Sequence, residues 1–101
     1  MPPEPGESKE AGCALCGSSW GNWWEEVEGR RLFFCCSLCA AAYKGAVRHV
    51  ELATGWDRVD SLFLDDVRGN EADGHARRGD QRVRFWLTGE DDGTITKLEL
   101  R

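Results

Sequence analysis

The chain is poor in histidine, tyrosine and methionine: among 101 residues there are two His, one Tyr and one Met. His49 and His75 have no carboxylate or cysteine at a motif spacing, so both read as surface residues. No nucleophile–base set and no paired catalytic carboxylates appear elsewhere, which argues against an enzyme. The three prolines, Pro2, Pro3 and Pro5, all lie in the first five residues. With the charges around them they predict a disordered tail over residues 1–11. No apolar run approaches the ~20 residues of a membrane-spanning helix. The polar start MPPEPGESKEAG is unlike a signal peptide. No membrane partner is expected, and the chain reads as cytoplasmic. Positive charge is also scarce, with 13 Lys and Arg against 18 Asp and Glu and a net charge of −5. Non-specific grip on nucleic acid depends on neutralising phosphates. Nucleic acid is therefore disfavoured as a partner, and another protein is the expected one. No internal repeat is present.

Cysteine is the residue the chain does have. All five lie between positions 13 and 39, in CALCGSSWGNWWEEVEGRRLFFCCSLC. Cys13 and Cys16 form a Cys-x-x-Cys knuckle, and Cys35, Cys36 and Cys39 follow. In a reducing compartment such clusters bind metal more often than they form disulfides. Paired thiolates at both ends of a short loop suit one tetrahedral Zn2+ ion. Cys13, Cys16 and Cys39 would supply three ligands. The fourth is Cys35 or Cys36, because both lie within one helical turn of Cys39. One thiol is then left over. Four thiolates leave no open position to activate water, so a structural site is the primary reading.

The fold expected is a single α+β domain over residues 12–101: a knuckle, a β-hairpin and a helix in treble-clef order, then a strand and a C-terminal β-hairpin. Gly17 follows the second cysteine, where a knuckle needs positive φ. Asn22–Phe34 reads as a hairpin turning at Glu28-Gly29. Ser37 to about Thr54 reads as a helix capped by Ser37 and stopped by Gly55. Its apolar stripe is Cys39, Tyr43, Ala46, Val47 and Val50. Gly45 within it costs about 1 kcal/mol relative to Ala, so packing must hold that turn. A strand is expected around Ser61–Val67. Arg68 to Asp80 reads as a Gly-rich loop. Gln81–Thr88 alternates, with Val83, Phe85 and Leu87 on one face and Arg82, Arg84 and Trp86 on the other. Thr94–Leu100 is its partner strand.

The run Phe34-Cys35-Cys36-Ser37-Leu38-Cys39, followed by Tyr43, resembles the TRASH/YHS type of treble-clef zinc finger. That type places an aromatic before a cysteine, a Cys-x-x-x-Cys step and an aromatic four residues on. The resemblance implies that Cys35 is the ligand and Cys36 the spare. CxxCGSSWG, FFCCSLCA and the Gly-Trp after the helix also resemble a small family of uncharacterised archaeal proteins described as zinc-binding, with a treble-clef or FYVE-like finger. The basic motif of true FYVE domains is absent, so lipid binding is not implied.

The function expected is a non-catalytic, zinc-stabilised binding module, an adaptor for protein and, less favoured, for nucleic acid. Trp20, Trp23 and Trp24 would mark a partner surface if exposed. Arg77, Arg78, Arg82 and Arg84 with Trp86 form the only basic concentration, and could meet a single strand by phosphate contact and stacking. The alternative is a soft-metal sensor or metal-delivery protein, since a spare sulfur beside a ligand could exchange copper(I). TRASH-like domains, which the cysteine run resembles, are linked to metal handling.

Overall fold

A computed structural model describes residues 6–101. The tail expected over residues 1–11 lies outside the described residues as far as position 5. From Gly6 onward the chain is tied down, with the Phe33 amide donating to Gly6 O at 2.8 Å.

The first half is a hairpin and a helix. Strand β1 is Trp23–Val27 and β2 is Arg30–Phe34, paired antiparallel. Glu28 and Gly29 turn the chain with φ of 52° and 80°, the pair of positive values that a two-residue hairpin requires. Helix α1 spans Ser37–Thr54 and buries Ala40, Tyr43, Ala46, Val47 and Val50. Those residues recur at the three- and four-residue spacing of one helix face. Gly55, at φ 80°, closes α1 in the left-handed conformation with its amide bonded to Glu51 O. The N-terminal cap is not Ser37. Cys36 holds that position with extended backbone, φ −163° and ψ 171°, and Ser37 is the first helical residue.

The second half is a four-stranded antiparallel meander, β3 (Ser61–Arg68), β4 (Glu71–Arg78), β5 (Gln81–Gly89) and β6 (Ile95–Leu100). The strand and the C-terminal hairpin stand where the alternation puts them. The loop expected over Arg68–Asp80 is instead mostly strand β4, pairing in full register with β5. Its inward residues are Ala72, Gly74 and Ala76, all buried. A period of two is present there, but its apolar phase is written in the smallest side chains. They are small because Phe85 fills the space: a Cβ on Gly74 would stand 2.7 Å from Phe85 Cζ and 2.6 Å from Phe63 O.

The inner face of this sheet packs on α1. Phe34, Val50 and Phe85 are fully buried in the shared core. Gly45 allows the closest approach, since a Cβ there would lie 3.1 Å from Ile95 Cγ1. This contact with β6 explains a glycine in mid-helix. A bulge at Leu64/Asp66 interrupts β3, and just before it the Leu64 amide donates to Leu15 O at 3.2 Å. The knuckle is thereby fastened to the edge of the sheet. Knuckle, hairpin and helix thus follow one another in treble-clef-like order, with the sheet buttressing both the helix and the knuckle. Among the described residues, no helix is long and apolar enough to cross a membrane.

Candidate metal centre

The knuckle is built by backbone hydrogen bonds before any sulfur is considered. Gly17 N donates to Cys13 O at 2.9 Å, and Cys13 N donates to Ser18 O at 2.8 Å. Gly17 takes φ 79° at the turn, as its place after the second cysteine predicts. Strand β2 then pins the knuckle: Ala14 N donates to Phe33 O at 2.9 Å. Gly21 lies against the opposite side of the site. A Cβ at that position would stand 2.0 Å from Cys35 O, so a backbone crossing this close admits no side chain.

These constraints gather four sulfurs. Those of Cys13, Cys16, Cys35 and Cys39 all lie within 4.8 Å of one another. Cys35 Sγ is 3.3 Å from Cys39 Sγ and 3.7 Å from Cys16 Sγ, and Cys39 Sγ is 3.9 Å from Cys16 Sγ. A regular tetrahedron with metal–sulfur bonds of about 2.3 Å has edges of about 3.8 Å. The three spacings among Cys16, Cys35 and Cys39 bracket that edge, and Cys13 lies within 4.8 Å of each, so the donor set is compatible with a metal ion. Cys13 and Cys35 are buried, Cys39 is partly buried and Cys16 is exposed. Cys36 Sγ lies 3.9 Å from Cys35 Sγ, outside the foursome. Between the two candidates for the fourth place, the fold brings Cys35 into the cluster. It directly follows β2, whereas Cys36 is the N-cap that precedes the helix.

The thiols set one another's protonation. Cys13 is lowered to about 4, chiefly by a hydrogen bond from the Cys39 thiol, with the backbone amides of the knuckle adding to the effect. Among those amides, Leu15 N lies 3.4 Å from Cys13 Sγ. Cys39 is correspondingly pushed up, because it donates to Cys13 and is desolvated. Burial pushes Cys35 up to about 12. Cys36 is held below its ordinary value, chiefly by the Cys39 backbone N–H. Four sulfurs in contact cannot all carry charge unless a cation neutralises them.

The remaining residues singled out by sequence divide by location. Trp20 and Trp23 are exposed, 60% and 43%, and both follow the knuckle. Trp24 is half-buried, meeting Phe33 edge-on at 5.4 Å with Arg31 4.9 Å above its ring. Arg78 pairs with Asp57 at 2.8 Å, and Arg77 Nε lies 3.4 Å from Ser61 Oγ. Arg82 and Arg84 are exposed on the outer face of β5. Trp86 shares that face, its indole N–H donating to Glu71 Oε1 at 3.1 Å. The arginine concentration is therefore divided: Arg78 is committed to an acid, while Arg82 and Arg84 are not.

Sequence reasoning missed Gly21 and Leu64. Gly21 has a weak signal, a glycine between two tryptophan positions. Leu64 has none, because its contribution is a backbone amide offered to Leu15.

Comparison with known proteins gives one match. A family model described as Ta0938 matches residues 10–101. No curated protein and no solved structure matches the chain.

Proposed function

This chain belongs to the Ta0938 family, and we propose that it is a zinc-stabilised, non-catalytic binding module of the cytoplasm that acts as an adaptor for another protein. The observation that carries this reading is the cluster of four sulfurs within 4.8 Å of one another, with Cys16, Cys35 and Cys39 spaced 3.3 to 3.9 Å apart. Four thiolates are the donor set of structural zinc. An ion held by all four sulfurs would have no position left for water or substrate and would not serve as a Lewis acid. A domain of this size gains from such a staple. The TRASH-type treble clef is supported by its two flanking aromatics, since Phe34 and Tyr43 meet edge-on at 5.4 Å beneath the site. Exposed Trp20 and Trp23 supply the aromatic surface that protein interfaces favour.

Elemental analysis of reduced, purified protein tests the metal, combined with thiol counting on the native and unfolded chain. One zinc per chain and one accessible thiol are expected. Iron in place of zinc would change the metal but keep the site, whereas absence of any bound metal would overturn it. The adaptor role is tested by cross-linking with a photoreactive group at Trp20 or Trp23. Failure of both positions to capture a protein that Lys44-labelled controls do not capture would count against it.

A second reading rests on Cys36, whose sulfur lies 3.9 Å from that of Cys35. A fifth sulfur at that distance could enter the coordination shell as another leaves, which is what soft-metal sensing or delivery needs. Competition between zinc and copper(I) should then differ between the wild-type protein and Cys36→Ser. Identical exchange would remove this reading.

A further inference from the structure

The outer face of the four-stranded sheet is open over β5, while at its β3 end Phe63 meets the knuckle at Gly17. The inner face packs on α1, while no described residue that points outward from the sheet is buried. Two neighbouring rows cross that outer face. One runs Ser61, Arg77, Arg82, and the other Phe63, His75, Arg84. Neither row has a carboxylate among its paired residues, although Asp65 at the bulge reaches His75 Nδ1 at 3.0 Å. The acids collect in the next row, where Asp66, Asp73 and Glu99 flank Trp86, and there they are engaged. Arg68 Nη1 reaches both Asp66 and Asp73, Arg101 Nε lies 3.2 Å from Asp73, and Lys97 Nζ lies 3.2 Å from Glu99.

Within the sheet, Arg68, Arg78 and Arg101 are paired with acids, whereas Arg82 and Arg84 are not. The side chains of Arg82 and Arg84 are exposed and have no hydrogen-bond or ion-pair partner among the described residues. They stand two residues apart on one strand, about 6.8 Å along it, and Trp86 follows at the same interval. The aromatic Phe63 lies across the sheet, its ring 6.4 Å from that of His75. Asp65 steadies the imidazole, 3.0 Å from Nδ1. In a chain of net charge −5, two adjacent unpaired arginines flanked by rings on an open sheet are a local reversal of charge with a defined chemistry.

We infer that the outer face of β5, with Arg82, Arg84 and Trp86, together with Phe63 and His75 beside it, is a binding site for a short single-stranded nucleic acid. The guanidiniums meet successive phosphates, and the rings stack on bases. A chain of phosphates can match charges repeating along a strand, and bases offer flat surfaces to the rings. An acidic peptide would satisfy the arginines but has no flat groups for the aromatic positions. A duplex is disfavoured, because two unpaired arginines cannot offset its charge density and no helix is presented to a groove. The arginines and Trp86 lie on β5, while Phe63 reaches the knuckle, where a Cβ on Gly17 would stand 3.3 Å from its Cζ. The inference goes beyond the adaptor reading and does not depend on it.

The test is fluorescence anisotropy of labelled 12-mers of U and of dT with the full, zinc-loaded chain at low salt. Saturable binding is expected, weakening with salt at a log–log slope of about −1.4 for two phosphates. Arg82→Gln with Arg84→Gln should weaken binding at least ten-fold and flatten the slope. Arg48→Gln, on the helix, should leave both unchanged. Arg84→Gln alone provides a milder variant, expected to lose severalfold, and circular dichroism checks that each variant is folded. Three results would each overturn the inference: no saturable binding of either oligonucleotide, binding indifferent to the β5 substitutions, or equal competition by a poly-glutamate of matched length.

Discussion

Cys35 and Cys39 hold their sulfurs 3.3 Å apart although only Cys39 lies in the helix. Cys35 is the residue after β2, and Cys36 between them takes the cap position. The hairpin delivers one sulfur to the cluster, the first turn of α1 delivers the next, and the sulfur of the cap residue stays outside. Cys35→Ser should therefore lower zinc affinity by more than about 100-fold, since even outer-shell partners are worth about 10–100-fold. Cys36→Ser should retain one zinc per chain at nearly unchanged affinity. Competition with a chromophoric chelator measures both. Equal losses in the two variants would mean that the adjacent sulfurs substitute for one another.

Proton release should accompany metal binding, with a sign fixed by the thiols. Cys35 is pushed up to about 12 by burial, and Cys39 is pushed up by donating to Cys13. Both are protonated at neutral pH before metal enters, whereas Cys13, lowered to about 4, is already a thiolate. Zinc must displace at least the protons of Cys35 and Cys39, so apparent affinity should rise by about 100-fold per pH unit across pH 6–8. Calorimetry in buffers of different ionisation enthalpy counts the protons. A count near zero would show that the thiols ionise independently of the metal.

The legible parts of the fold are those whose side chains differ in size and polarity along the chain. Hairpin turn Glu28-Gly29, helix Ser37–Thr54 and strand Gln81–Gly89 follow from positive-φ residues, an apolar stripe and strict alternation. Strand β4 is illegible for the opposite reason. Its inward phase, Ala72, Gly74 and Ala76, carries almost no hydrophobic signal, and its GHARRG run imitates a loop. The cysteines announced a metal site, but adjacency left Cys35 and Cys36 equivalent on a helical wheel. Only the end of β2 and the cap geometry distinguish them. The unpaired state of Arg82 and Arg84 was equally hidden, because it depends on which acids the meander brings to Arg68, Arg78 and Arg101.

Gly74 tests the account of β4. A Cβ there would contact Phe85 Cζ at 2.7 Å and Phe63 O at 2.6 Å, and Phe85 is fully buried. Gly74→Ala should therefore destabilise by about 1–3 kcal/mol, the range for overpacking a close-fitted core. In a solvated loop the same change would be neutral or slightly stabilising. Urea unfolding of the zinc-loaded protein separates these outcomes.

Glu51 makes stability depend on pH in a direction opposite to the metal site. Burial, then a hydrogen bond and like charge from Glu28, raise its carboxyl from 4.5 to about 7. Glu28 is itself held in the hairpin turn, where its Oε2 accepts from Val59 N at 3.2 Å. Separation of the two carboxyls is therefore resisted by the β1–β2 turn on one side and α1 on the other. The folded state holds a proton on Glu51 that the unfolded state gives up above about 4.5. This contribution is full below pH 4.5 and is lost as pH rises through 7. Glu51→Gln keeps the hydrogen bond to Glu28 without an ionisable proton. Its melting temperature should equal that of the wild type near pH 5 and exceed it by a few degrees at pH 7.5. Comparing the two proteins at each pH cancels any loss of bound metal that acid would cause in both. A constant difference across this range would mean that Glu51 and Glu28 do not share a proton in the folded chain.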